Sequence, residues 1–388
     1  MKLRDIVRET QAYYCLDCGK CTAVCPVAAH SETFSPRLTV LHALTGTNGG
    51  RPEGRFLGDC LTCGLCTEVC PSAVRYLDFT QMLRREMAEA GAPAACSHGG
   101  VLTSLMRLQS RKLEGKRGLG WVPDEARVAE KGSLLYFTGC LPFYEVCFGE
   151  LGGSHLQTAR DVLAILNRLG EEPVLLDDEL CCGHDLYWNG DEDDARRLAE
   201  RGAAAIAATR AETVVSACPE CVHALRDLWP ALGVATRFRV LHLSEYLAER
   251  GEAGDIDLAA LPGRATFHDS CRLARKLGVV EEPRASLRAI YGSGFREMPR
   301  HGREAVCCGT SGWLQCDAVS RQLQAERLRE AADTGAQTLV TACPKCRIHF
   351  LCAQCGESDD DVKSLRIRDY ASVVREAMEG GEAIGDTA

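Results

Sequence analysis

Ser216-Ala217-Cys218-Pro219-Glu220-Cys221 and Thr341-Ala342-Cys343-Pro344-Lys345-Cys346 are one motif written twice in this 388-residue chain. Upstream of each, the same signposts recur. Cys181-Cys182-Gly183 precedes the first and Cys307-Cys308-Gly309 the second, and a lone cysteine, Cys140 or Cys271, opens each set. Matching cysteines are offset by 131, 126 and 125 residues, so this part of the chain is an internal duplication. The first gap holds forty residues, against thirty-five in the second copy, and reads as a loop insertion.

The cysteines follow short apolar runs. Residues 133–138, 173–176 and 213–216 in the first copy, and 264–267 and 338–341 in the second, have the continuous hydrophobicity of buried parallel strands. Helical periodicity fills the intervals at 159–169, 191–208, 283–291 and 318–333. This alternation predicts α/β modules with parallel sheets, their cysteines at the carboxyl ends of strands. Pro219 suits the first turn of a helix. The two modules are expected at 133–255 and 256–388, facing one another across a pseudo-twofold axis.

A different array occupies residues 1–92. Cys15-x2-Cys18-x2-Cys21-x3-Cys25-Pro26 is repeated as Cys60-x2-Cys63-x2-Cys66-x3-Cys70-Pro71. Three closely spaced cysteines wrap one iron–sulfur cube, and the fourth reaches the other cube. The spacing therefore assigns Cys15, Cys18, Cys21 and Cys70 to one cubane [4Fe–4S] cluster, and Cys60, Cys63, Cys66 and Cys25 to a second. Zinc takes Cys-x2-Cys pairs separated by a long gap, which this is not. A helix is expected over 72–89, ended by Gly91 and Pro93, and a shorter one near 38–44. The fold class expected is thus mixed α+β and α/β: an N-terminal, α-helical, double-cluster ferredoxin-like domain followed by two α/β modules. Residues 93–132 read as a linker, with a basic cluster at Arg111, Lys112, Lys116 and Arg117 as a solvated face or a docking patch.

The adjacent cysteines pose a different problem. Two neighbouring side chains leave the backbone in different directions and cannot easily share one tetrahedral ion. They can bind two metals of a larger cluster, and Gly183 and Gly309 permit the turn this needs. A Cys-Pro-x-Cys loop at a helix start adds backbone N–H groups that stabilise thiolate. The residues point to a polynuclear, thiolate-bound cluster with up to five ligands and leave its shape open.

The twin pattern of lone cysteine, Cys-Cys-Gly and Cys-Pro-x-Cys, after a double-cluster ferredoxin domain, resembles the catalytic (D-type) subunit of heterodisulfide reductase. The same architecture occurs in the C-type subunit of anaerobic glycerol-3-phosphate dehydrogenase. The resemblance implies a noncubane [4Fe–4S] cluster in each module. One would use Cys140, Cys181, Cys182, Cys218 and Cys221, and the other Cys271, Cys307, Cys308, Cys343 and Cys346. It further implies that these ten cysteines form the catalytic centre, where a disulfide is reduced by electrons passed from the ferredoxin pair. The other reading is a relay between a flavoprotein dehydrogenase and a quinone or another redox complex, without a substrate of its own.

Composition narrows the remaining possibilities. These motifs hold 18 of the 23 cysteines. Disulfide-dense folds are small and secreted, and this chain has neither that length nor an apolar leader near its start. The net charge of −9 and the lack of a basic stripe argue against nucleic acid. No run reaches the roughly 18 apolar residues of a membrane span. The expected location is the cytoplasm, with docking on the inner face of the membrane through a partner. No Gly-x-Gly-x-x-Gly fingerprint is present, so electrons must come from another protein, either a flavoprotein or a membrane cytochrome or quinone subunit.

Among off-pattern residues, Cys147 and Cys316 are expected to be small buried side chains, and Cys96 to be inert in the linker. Cys352 and Cys355 are too close to Cys343 and Cys346 for a comfortable zinc knuckle. His184 and Asp185 are candidate proton donors to a departing thiolate. His268 is expected to hold its loop through backbone hydrogen bonds. Lys345, lying between two ligands, would favour a reduced, more anionic cluster.

Overall fold

Leu134–Tyr136 (β1), Thr213–Ser216 (β2) and Arg239–His242 (β3) pair in the order β1-β2-β3, all parallel. Ala265–His268 (β4), Phe295–Arg296 (β5), Thr338–Thr341 (β6) and Arg366–Asp369 (β7) form a second parallel sheet, ordered β5-β4-β6-β7. These strands belong to a computed structural model that describes residues 2–45, 54–111, 118–252, 254–314, 316–356 and 359–380. The central strands are buried along their length, which is why they read as unbroken apolar runs. The expected strand at 173–176 is reduced to single bridges from Val174 to Ala129 and Leu135. Pro173 has no N–H to extend the ladder, and Asp177-Asp178 follows at once.

The chain packs as two compact units that do not follow chain order. The second holds both sheets and comprises 112–182, 196–305 and 325–388. Its helices include His155–Arg168, which carries the expected apolar stripe of Ala159, Val162, Leu163, Ile165 and Leu166. The helix Tyr370–Met378 is capped by Asp369, whose carboxylate accepts the Ala371 N–H at 2.8 Å.

Burial pushes the Asp369 carboxyl up to about 7. A folded-state value above the unfolded one means that stability is fully present below the ordinary carboxylate range and is lost as pH rises through 7. Asp369→Asn keeps the capping oxygen and removes the charge. The variant should become progressively more stable than the parent between about pH 4 and 7, by up to about 4 kcal/mol, and the gap should level off above that. Urea unfolding across this pH range measures it.

The first unit comprises 1–111, 183–195 and 306–324. Its spine is the helix Tyr76–Glu89, which buries Tyr76, Leu77, Phe79, Thr80, Leu83 and Arg84. The helix starts four residues later than its periodicity suggests. Ala73 takes a positive φ of 50° in the turn after Pro71, so the chain is not helical there.

Arg84 is almost wholly enclosed. Its guanidinium donates to the carbonyls of Leu57 (2.8 Å), Cys60 (2.6 Å) and Trp188 (2.9 Å). Within the stretch read as a linker, Val101–Ser110 is a helix. Arg107 pairs with Asp191 at 2.7 Å, and Ser110 donates to Asp194 at 2.7 Å. Of the basic cluster, Arg111 pairs with Asp194 at 3.2 Å, whereas Lys112, Lys116 and Arg117 lie outside the described residues. No helix among the described residues is long and apolar enough to cross a membrane.

Candidate metal centres

In the first unit, Cys25, Cys60, Cys63 and Cys66 line one cavity. Its remaining wall is largely apolar, with Pro26, Phe34, Tyr76 and Leu77. Burial, with the Cys63 and Cys60 charges adding, pushes the Cys25 thiol up to about 12. Burial likewise holds the Cys66 thiol well above its ordinary value. Thiols raised in this way stay protonated unless a cationic metal offsets the thiolate charge that water cannot solvate there. The cavity fits the crossed set of one triplet with the other run's fourth cysteine. Cys15, Cys18 and Cys21 lie nearer solvent, with Cys18 exposed. The Cys21 thiol is raised by burial and also feels the charges of Cys15 and Cys18. Cys70 is half-buried.

The loop between Cys60 and Cys63 does more than hold metal. Thr62 donates its N–H to the Cys60 sulfur at 3.4 Å. Its hydroxyl shares a 3.0 Å hydrogen bond with Ser311, three residues beyond Cys308. Cys307 and Cys308 are buried in this same unit. Gly309 has φ of +90°, and a Cβ there would meet the Ser320 carbonyl oxygen at 2.7 Å, so the turn requires glycine.

In the second unit, the first set converges in full. Cys140 follows β1, and its sulfur lies 3.9 Å from that of Cys181. Hydrogen bonds from the Cys181 and then the Cys221 thiols pull Cys182 down to about 7. Cys221 is raised by its bonds to Cys182 and Cys218. The five sulfurs thus form one run of contacts, Cys140–Cys181–Cys182–Cys221–Cys218. Five thiols exceed the four positions of a tetrahedral ion, and all 23 cysteines lie outside disulfides. The donor set fits a polynuclear centre.

The surrounding polypeptide is fixed by buried polar groups. Glu179 accepts the N–H groups of Thr138 (2.9 Å) and Gly139 (2.6 Å), and Trp229 donates its indole N–H to the Cys182 carbonyl at 2.9 Å. A Cβ on Gly139 would come within 2.8 Å of the Cys221 sulfur.

Cys271, Cys343 and Cys346 also belong to the second unit. Cys271 precedes a π-helical turn, Arg272–Lys276, and Cys343 caps the helix Pro344–Cys355, whose first turn carries Cys346. Lys345 Nζ lies 2.5 Å from Glu220 Oε2, so the middle residues of the two Cys-Pro-x-Cys loops form a buried ion pair. Sequence reading noticed Lys345 but missed Glu220. The signal was available as opposite charges at matching positions of the duplicated motif.

Other candidates fare differently. The His184 ring lies 2.9 Å from the Asp185 carboxylate, both buried in the first unit. His268 accepts a hydrogen bond from Arg327 at 3.2 Å and packs edge-on against Phe350. A side chain thus holds this ring. Cys147 is exposed, contrary to expectation, because it falls on the outer face of the helix Leu141–Phe148. Cys316 is half-buried, and Cys96 accepts a bond from Thr103 at 3.4 Å. Cys352 and Cys355 are exposed.

Comparison with known proteins agrees with this geometry. Residues 134–226 and 265–351 each match a family described as a cysteine-rich domain of the Cys-Cys-Gly type, and residues 11–74 match a 4Fe-4S dicluster domain. The chain is 33% identical to the D-type subunit of dihydromethanophenazine:CoB–CoM heterodisulfide reductase from Methanosarcina acetivorans, over 69% of this chain and 64% of that one. It is 29% identical to the B-type subunit of fumarate reductase (CoM/CoB) from Methanothermobacter marburgensis, over 92% of this chain and 60% of that one. It is 27% identical to an EtfAB:quinone oxidoreductase of Syntrophomonas wolfei, over 67% of this chain and 38% of that one. The matched regions thus span less than two thirds of these relatives' own length. A dicluster ferredoxin domain and two Cys-Cys-Gly domains mark a protein of iron–sulfur electron transfer, and the chain belongs to the Cys-Cys-Gly domain iron–sulfur oxidoreductases, the family that includes the D-type subunit of heterodisulfide reductase.

Proposed function

We propose that this chain is the disulfide-reducing, iron–sulfur subunit of a redox complex. Its ferredoxin domain holds two cubane [4Fe–4S] clusters, one on Cys15, Cys18, Cys21 and Cys70, the other on Cys60, Cys63, Cys66 and Cys25. Two noncubane [4Fe–4S] clusters sit on Cys140, Cys181, Cys182, Cys218 and Cys221, and on Cys271, Cys307, Cys308, Cys343 and Cys346. Such clusters, when bound, hold and pass single electrons. The observation that carries the reading is the convergence of five cysteine sulfurs from Cys140 to Cys221, more than a zinc ion or a disulfide uses.

The reaction balances as one disulfide plus two electrons and two protons giving two thiols. The S–S bond breaks, the electrons come from a flavoprotein or membrane redox partner, and the protons come from solvent. Two sites resolve the mismatch between a two-electron bond cleavage and one-electron carriers, and the duplication supplies two ligand sets. The ion pair Lys345–Glu220 supports a face-to-face, pseudo-twofold placement of the modules. Work on the inner face of the cytoplasmic membrane, docked through a partner, suits a chain of this family.

A second reading, a relay to quinone without its own substrate, is favoured by the relative named for EtfAB and quinone. Anaerobically reconstituted, dithionite-reduced protein, freed of excess reductant, distinguishes the two. Reoxidation by a panel of coenzyme-type disulfides should release two thiols per disulfide consumed. No thiol from any disulfide, with rapid reoxidation by a quinone analogue, would overturn the disulfide reading in favour of the relay.

A further inference from the structure

Glu220 and Lys345 hold the same place in the two matching loops, each between two cysteines, and they are paired at 2.5 Å with side chains 11% and 3% exposed. A second link lies close by in sequence. His242, at the end of β3, sets its ring Nε2 3.2 Å from the carbonyl oxygens of both Ala217 and Ala342, which immediately precede Cys218 and Cys343. Its Nδ1 accepts the Ser244 N–H at 3.1 Å, so Nε2 carries the proton and donates to both carbonyls. The two loops are therefore tied at two points within one unit.

We infer that Glu220 and Lys345 are positioning residues that clamp the two Cys-Pro-x-Cys loops together and make the two ligand sets electrically unequal, the second being the easier to reduce. Lys345 places positive charge beside Cys343 and Cys346, and positive charge favours the more anionic, reduced state. Glu220 places negative charge beside Cys218 and Cys221 and disfavours that state there. At 2.5 Å each charge partly offsets the other, so the bias is that of an oriented dipole, which burial keeps water and salt from screening. The Thr62–Ser311 hydrogen bond points the same way, because it ties the Cys60–Cys63 loop to the segment leaving Cys308. In the step so biased, one electron would pass from a cluster held by the ferredoxin-type cysteines to a cluster held by the second set, with no bond made or broken.

This inference rests on the reading of both arrays as cluster cradles. The experiment is an anaerobic potentiometric titration with dithionite and ferricyanide, followed by visible absorbance and low-temperature EPR. Cys182→Ser and Cys308→Ser identify which signal belongs to which set. In the parent the second set should be reduced first, by at least about tenfold in relative occupancy, equivalent to about 59 mV for a one-electron step. The exchanged pair, Glu220→Lys with Lys345→Glu, keeps the clamp and should reverse the order. Glu220→Gln with Lys345→Met removes both charges without leaving one buried alone, and should bring the two steps together. Iron-replete exchanged protein that keeps the parental order overturns the inference while leaving the cluster reading intact. Parent protein that binds only the ferredoxin irons overturns both.

Discussion

Cys182→Ser is expected to strip one whole metal centre, about four of about sixteen irons, while leaving the ferredoxin signals untouched. Cys182 lies in the middle of the run of sulfur contacts, bonded to Cys181 on one side and Cys221 on the other. Those bonds pull its thiol down, toward the thiolate form that binds metal. A serine hydroxyl keeps its proton at neutral pH and leaves a gap of one ligand between two neighbours that depend on it. The local backbone should survive, because Trp229 bonds the Cys182 carbonyl and not its side chain. The ferredoxin thiols lie in the other unit. Iron analysis with low-temperature EPR of anaerobically reconstituted protein measures the outcome. Loss of the ferredoxin signals alone would show that the thiols had been partitioned wrongly. Full retention of iron would show that Cys182 is no ligand.

Much of this arrangement was legible because metal ligands impose spacing that nothing else imposes. Loop length groups Cys25 with Cys60, Cys63 and Cys66 as one expected ligand set, and these four line one cavity. The strands before Cys140, Cys218, Cys271 and Cys343 were visible as apolar runs because parallel strands are buried on both faces. β3, β5 and β7 were not visible. β5 is two residues long, and β3 and β7 each begin with an exposed arginine, so none makes a continuous run.

The partition into units was also hidden. Residues 183–195 and 306–324 join the ferredoxin unit through contacts far apart in sequence, such as Arg107 with Asp191 and Thr62 with Ser311. Propensity and periodicity carry no information about such pairs. Charge at matching positions of a repeat does, and Glu220 against Lys345 is the instance that was overlooked.

Arg84→Met should cost the first unit on the order of 4 kcal/mol, a fall in melting temperature on the order of 10 °C. Methionine matches the length and fills the space but donates nothing. The carbonyls of Leu57, Cys60 and Trp188 would then be left buried without the guanidinium that now satisfies them. Each unsatisfied buried acceptor costs about 1–3 kcal/mol, and local relaxation recovers part of the sum. The Cys60 carbonyl belongs to a proposed ligand, so the loss should reach the metal. Iron held by Cys60, Cys63, Cys66 and Cys25 should leave under mild chelation well before the unit melts. Arg84→Lys should recover some stability, since an ammonium can reach one or two of the three oxygens but cannot span them as a planar fork does. Calorimetry beside timed chelation separates the two effects. A methionine variant that melts within about 2 °C of the parent and keeps its iron would show that Arg84 only fills space, because that shift corresponds to well under 1 kcal/mol.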